Sequence, residues 1–220
     1  MRKVVLSVSA LLAAVAAAFA QEEPTTAWPY LFPDFIEGTV YMSSGQEFRQ
    51  KMNVHLGHSH MQYVEDGVIR ELVPGDVVAV RIGDDSFIIR EGQAMQVLSK
   101  KNGALIAVLT VGDFASLADT GGAYGTSSAT SSTRKVSSLD AYATVGFSHS
   151  LLLQGKHDGQ VLPLYTEYFL VTPEYTCPAT RKDLEKHFSG RADEFKEFVK
   201  QNKIRFGKPE SLAKILDFVE

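Results

Sequence analysis

The chain has 220 residues, 22 of them basic and 26 acidic, with a single cysteine among them. That length supports one substantial core or two small ones. The acidic balance gives no overall electrostatic footprint for nucleic acid, and one cysteine excludes an internal disulfide.

Residues 1–20 carry the marks of a cleavable secretory signal. Arg2 and Lys3 precede a nearly unbroken apolar run from Val4 to Phe19, which closes on Ala18-Phe19-Ala20 before Gln21. The run is short for a membrane span, which needs about 20 apolar residues. Cleavage is expected after Ala20, giving a periplasmic or extracellular protein with no transmembrane span in the mature chain. Removing Arg2 and Lys3 leaves 20 basic against 26 acidic residues, a net charge of −6. The charge is uneven: residues 21–180 carry −8, and residues 181–220 carry +2.

After a lead-in containing Pro24, Trp28, Pro29, Tyr30 and Pro33, short strands alternate with turn signals. The first strand spans 37–42, with a turn at Ser43-Ser44-Gly45. Over 48–56 the alternation is clean: Phe48, Met52, Val54 and Leu56 point one way, and Arg49, Lys51, Asn53 and His55 the other. Past Gly57 the parity flips, with Met61 and Tyr63 apolar and His58, His60 and Gln62 polar. A flip at glycine predicts a bulge or a turn there. Further strands are expected over 61–64, 68–72, 77–82, 87–90, 95–98 and 105–111. Among the turns between them are Glu65-Asp66-Gly67, Pro74-Gly75-Asp76, Gly83-Asp84-Asp85 and Lys101-Asn102-Gly103.

From 119 to 139 the composition shifts to Gly, Ser, Thr and Ala, which reads as a loop or linker. Strand patterning resumes at 148–153, 161–164 and 168–172. At Thr180 the period changes from two to 3.6. Thr180 to Asp183 is a capping-box variant, Leu184 and Phe188 are paired at i,i+4, and Gly190 ends the first helix. Phe195, Phe198 and Val199 make a second stripe. Pro209 opens a third helix, followed by Leu212, Ile215, Leu216 and Val219. Leu184, Phe188, Phe195, Phe198, Leu212, Ile215 and Leu216 are expected to be buried.

The expected architecture is α+β: an antiparallel sheet body (sandwich, roll or open barrel) followed by a C-terminal unit of three short helices. In domains this reads as a signal over 1–20 and a β-rich domain over 21–118. A linker over 119–139, further strands over 140–178 packing on that domain, and a helical unit over 179–220 complete it.

One constellation invites chemistry. With a kink at Gly57, His55, His58 and His60 share the polar face, and three imidazoles suit zinc. The spacing matches no known motif, and Glu65 and Asp66, the nearest acids, lie in the next turn. Solvated histidines are therefore the favoured reading, and no catalytic, cofactor-binding or metal residue is assigned. Asp84-Asp85 lacks the alternating ligands of a calcium loop. Ser148-His149-Ser150 lacks a nucleophile-elbow context. Gly121-Gly122 is not followed by the helix of a phosphate loop. Cys177, with Pro178 directly after it, reads as a small hydrophobe rather than a nucleophile, with an intermolecular disulfide as the lesser alternative.

Several strings are similar to an uncharacterised family of exported Gram-negative (Bacteroidetes-type) β-rich envelope proteins. They are Met52-Asn-Val-His-Leu56, Met61-Gln-Tyr-Val64, Val80-Arg-Ile-Gly-Asp-Asp-Ser-Phe87, Met95-Gln-Val-Leu98, Gly122-Ala-Tyr-Gly-Thr-Ser-Ser128, Lys182-Asp-Leu-Glu-Lys-His-Phe188 and Phe198-Val-Lys-Gln-Asn-Lys-Ile-Arg-Phe206. The resemblance implies an envelope protein with a β-rich body and a helical tail, and brings no activity with it. The functional expectation is a non-catalytic interaction or scaffold module for an unknown envelope protein or glycan. The first alternative is a small-ligand or glycan binder using Trp28, Tyr41, Tyr63 and Tyr124. The second is a metal-dependent hydrolase built on His55, His58 and His60.

Overall fold

A computed structural model describes residues 29–113 and 162–219. The expected signal over 1–20, linker over 119–139 and strand at 148–153 fall outside the described residues, as do Trp28 and Tyr124. The described residues form a ten-stranded antiparallel sheet followed by short helices, an α+β architecture with a β-rich body.

In chain order the strands are β1 Ile36–Met42, β2 Glu47–His55, β3 His60–Glu65, β4 Val68–Glu71, β5 Val77–Ile82, β6 Asp85–Arg90, β7 Gln93–Lys101, β8 Ala104–Gly112, β9 Leu164–Val171 and β10 Thr176–Pro178. They lie side by side as β10-β9-β8-β7-β6-β5-β1-β2-β3-β4. Three hairpins turn on adjacent residues of positive φ: Asp66 and Gly67, Glu91 and Gly92, Asn102 and Gly103. Two such residues in succession make the turn whose twist matches that of the flanking strands. The Glu91-Gly92 turn has no Asn or Asp to announce it, and the sequence reading passes over it.

The sheet curls. The loop joining β2 to β3 lies near one end of the strand order, yet Ala94 of β7 donates its N–H to the Ser59 carbonyl at 2.7 Å. Gly112 at the end of β8 donates to the Leu56 carbonyl at 2.8 Å. Inside the curl lie Val40, Met52, Val54, Met61, Val80, Ile82, Phe87 and Ile89. Gly38 of β1 makes room there, since a Cβ on it would stand 2.8 Å from Met52 Sδ and 3.0 Å from the Arg81 carbonyl oxygen.

β8 is buried on both faces, and parts of β6, β7 and β9 share its apolar surroundings. Ile88, Met95, Ala107, Leu109, Phe169 and Val171 form a second apolar group. From the opposite face, Ala104, Ile106 and Leu170 join the helical tail in a third. The sequence divides 161–172 into two strands, whereas the backbone runs through as one strand, β9, paired with β8 from Leu164 to Val171. The intervening Tyr165, Thr166 and Glu167 interrupt the apolar pattern without interrupting the hydrogen-bond ladder.

The tail holds α1 Arg181–His187, a 3₁₀ turn at Ser189–Arg191, α2 Ala192–Gln201 and α3 Pro209–Leu212. Thr180 caps α1: its Oγ1 accepts the Asp183 N–H at 3.2 Å and its hydroxyl donates to the Asp183 carboxylate at 2.5 Å. The third helix departs from expectation, for after one α-turn it tightens into a 3₁₀ helix over Ala213–Asp217. Leu184, Phe195, Leu212 and Ile215 are fully buried, while Phe188 and Phe198 are only half-buried, a correction to the expected stripe. Phe195 occupies the centre, with Phe188 and Phe218 each about 5 Å away between ring centroids. Lys101 of β7 reaches Asp217 at 3.0 Å, tying the tail back to the sheet.

Candidate functional site

The polar residues singled out from sequence gather where β2 turns into β3. His55 and His60 are directly opposite each other in the ladder, so the parity flip at Gly57 is a loop of residues 56–59 rather than a bulge. Ser59 sits in that loop at φ 55° and is buried, its hydroxyl donating to the Ala94 carbonyl at 2.9 Å.

Each imidazole has local partners. His55 Nδ1 accepts the Gly57 N–H at 3.1 Å, and the ring stands edge-on to Tyr30 with centroids 5.3 Å apart. His60 Nδ1 lies 3.1 Å from Glu71 Oε1, linking β3 to β4. His58 and His60 are tilted neighbours at 5.4 Å between centroids. The pKa of His58 is lowered, first by burial and then by the His60 charge, with Glu71 opposing. Among the described residues, no three His, Cys, Asp or Glu side chains converge in a way that could hold a metal ion. His55 uses Nδ1 to shape its own loop, and His60 turns Nδ1 toward Glu71.

Asn53 overturns a sequence expectation. The alternation of β2 assigns it to the polar face beside Lys51 and His55, yet it is completely buried. The lead-in segment folds across it. Asn53 Oδ1 accepts the N–H of Phe32 at 3.0 Å and of Val54 at 2.8 Å. Its Nδ2 donates to the carbonyls of Phe32 and Asp34, each at 2.9 Å. A buried carboxamide is retained only when its donors and acceptors are paired, and four bonds achieve that here. Tyr30 extends the same seam: it is 1% exposed, donates its hydroxyl to Gln62 Oε1 at 2.9 Å, and has its pKa pushed up to about 12 by burial. The Pro-punctuated lead-in was the available signal, because its backbone groups needed partners and an amide side chain serves both donors and acceptors.

The other candidates are dispersed. Asp84 stands in the β5–β6 turn, and Asp85 accepts from Gln96 Nε2 at 2.7 Å across to β7. Tyr41 lies on β1, and Tyr63 on β3 packs edge-on to Phe48 at 6.3 Å. Cys177 is buried among the tail's apolar residues, where burial, then the nearby Asp183 charge, raises its pKa. A raised thiol is a poor nucleophile. His149 falls outside the described residues.

Among the described residues no helix is long and apolar enough to cross a membrane. In comparisons with protein-family models, curated proteins and solved structures, the chain matches none.

Proposed function

We propose that this chain is an exported, non-catalytic envelope protein, of the exported β-rich kind its sequence resembles, acting as an interaction or scaffold module. The observation that supports this reading is the outer sheet edge. β4 is the last strand, Val68 on it is 51% exposed, and Val73 just beyond it is 77% exposed. A sheet edge can accept a further strand through its outward N–H and C=O groups. The Arg70–Glu65 ion pair, at 2.7 Å, places charge beside that edge and disfavours indiscriminate pairing. The polar cluster at the β2–β3 turn fits the same reading, because its hydrogen bonds hold the lead-in and the curl together.

The test is site-specific cross-linking in intact cells. A photoreactive side chain at position 68 or 73 is expected to give a discrete adduct identifiable by mass, and one at exposed position 49 on β2 none. Adducts of equal yield from all three positions, or from none, would remove the edge as the contact.

A further inference from the structure

From the last turn of α2 to the start of α3 the chain reads Lys200-Gln-Asn-Lys203-Ile-Arg205-Phe-Gly-Lys208, four cations with no carboxylate among them. All four side chains are exposed. The backbone beneath them is tightly held. Ile204 is buried and donates its N–H to the Val199 carbonyl at 3.0 Å. Asn202 Nδ2 donates to the Phe198 carbonyl at 3.0 Å, and Arg205 N–H to Ser211 Oγ at 2.8 Å. Lys214 adds a fifth cation, its amine donating to the Asn202 carbonyl at 3.4 Å.

Elsewhere in the tail three cations are paired, whereas Lys182 and Lys186 on α1, like the loop cations, have no ion pair among the described residues. Arg181 pairs with Glu185 at 3.6 Å, Arg191 with Glu194 at 2.8 Å and Lys196 with Asp193 at 3.7 Å. Among the described residues, Lys200, Lys203, Arg205 and Lys208 have no carboxylate within ion-pair distance. A helix dipole accounts for Lys200 alone, in the last turn of α2. Lys208 precedes α3, the end at which a dipole disfavours a cation. Among the described residues, packing leaves this concentration of charge without an ion-paired counter-charge.

Phe206 stands half-buried within the group, with the Arg181 guanidinium 5.8 Å from its ring centroid. Three of the four cations are lysines, hydrated point charges on flexible stems. They suit a laterally mobile array of phosphates better than the fixed, bidentate recognition that favours arginine. Phe206 packs against the tail core and keeps only part of its ring in solvent, and an aromatic ring so placed among cations matches the boundary between headgroups and acyl chains.

We propose that the α2–α3 loop is a peripheral contact with an anionic bilayer, in which Lys200, Lys203, Arg205 and Lys208 meet headgroup phosphates and Phe206 lies at the interface. The choice of a bilayer rests on the export reading above. The charge chemistry does not.

The experiment is co-sedimentation of the purified protein with vesicles of phosphatidylcholine alone or doped with phosphatidylglycerol, at low and at high salt. Binding is expected only with phosphatidylglycerol, and it weakens as salt rises. The fourfold variant K200Q/K203Q/R205Q/K208Q is expected to bind at least about tenfold more weakly, with an unchanged thermal melt. The control K182Q/K196Q should bind like the parent. Equal binding to neutral vesicles, or undiminished binding by the folded fourfold variant, would overturn the proposal. So would equal affinity for soluble polyphosphate, which would assign the loop to a soluble polyanion. None of these outcomes bears on cross-linking at the β4 edge, so the two readings fail separately.

Discussion

Asn53 and Phe32 hold each other at both ends of one residue's backbone: the Phe32 N–H reaches Asn53 Oδ1 at 3.0 Å, and Asn53 Nδ2 reaches the Phe32 carbonyl at 2.9 Å. The side chain thus extends the short backbone bridge between the lead-in and β2, in which the Leu31 N–H donates to the Val54 carbonyl at 2.9 Å and the Leu56 N–H to the Pro29 carbonyl at 2.8 Å. Asn53→Leu, close in volume, removes these bonds and leaves the Phe32 N–H and the carbonyls of Phe32 and Asp34 without their partner. The lead-in groups are only part-buried, so the expected loss of stability is about 2–4 kcal/mol, three hydrogen bonds at about 0.5–1.5 kcal/mol each. Chemical denaturation checks it, and a loss under about 0.5 kcal/mol, the scatter of neutral surface changes, would mean that water replaces the amide.

The two aromatic rings of α2 should respond unequally to truncation. Phe195 is 0% exposed and contacts Phe188 and Phe218, whereas Phe198 is half-buried, with Phe218 its one ring neighbour among the described residues, at 5.2 Å. Phe195→Ala is predicted to cost about 3–5 kcal/mol and Phe198→Ala roughly half of that. Thermal melts of the two variants decide the order, and equal losses would place the centre of the tail core elsewhere.

His58 should make stability fall on acidification. Its folded pKa is lowered from 6.5, so between that value and the folded one the unfolded chain binds more protons. Its contribution is complete above pH 6.5 and is lost as pH falls through the folded pKa. His58→Gln is expected to flatten the stability–pH profile in that acidic window and leave neutral stability nearly unchanged. Denaturation midpoints measured from pH 8 to pH 5, bracketing the ordinary histidine value of 6.5, test this, and parallel profiles for parent and variant would refute it.

Cys177 lies within the tail core, and burial followed by the Asp183 charge holds its thiol protonated beyond the usual range. Labelling by an aromatic disulfide reagent is expected to be slow in the folded protein and fast on unfolding. The variant Phe195→Ala should speed it, because opening of the tail exposes the sulfur. Rapid labelling of the intact parent would contradict this.

The reading of the chain as β-strands followed by helices rests on local physics: alternation of period two, paired turn residues such as Asn102-Gly103 that tolerate positive φ, and the switch to a 3.6 period at Thr180. Those signals are carried by residues near in sequence, so they survive without the rest of the molecule. Local signals failed where the partner was distant. Asn53 reads as a solvent-facing residue because its neighbours in β2 are polar. It is buried because a segment some twenty residues earlier folds over it and needs its donors and acceptors. The three histidines share one short stretch, but register and side-chain rotation decide where their nitrogens point, and these depend on Tyr30, Gly57 and Glu71. Phe198 lies on the apolar stripe of α2, yet Phe195 takes the centre because Phe188 and Phe218 close on it from two other elements. Periodicity identifies a face. Only packing against distant chain decides how deeply each residue on that face is buried, and which polar group is drawn in with it.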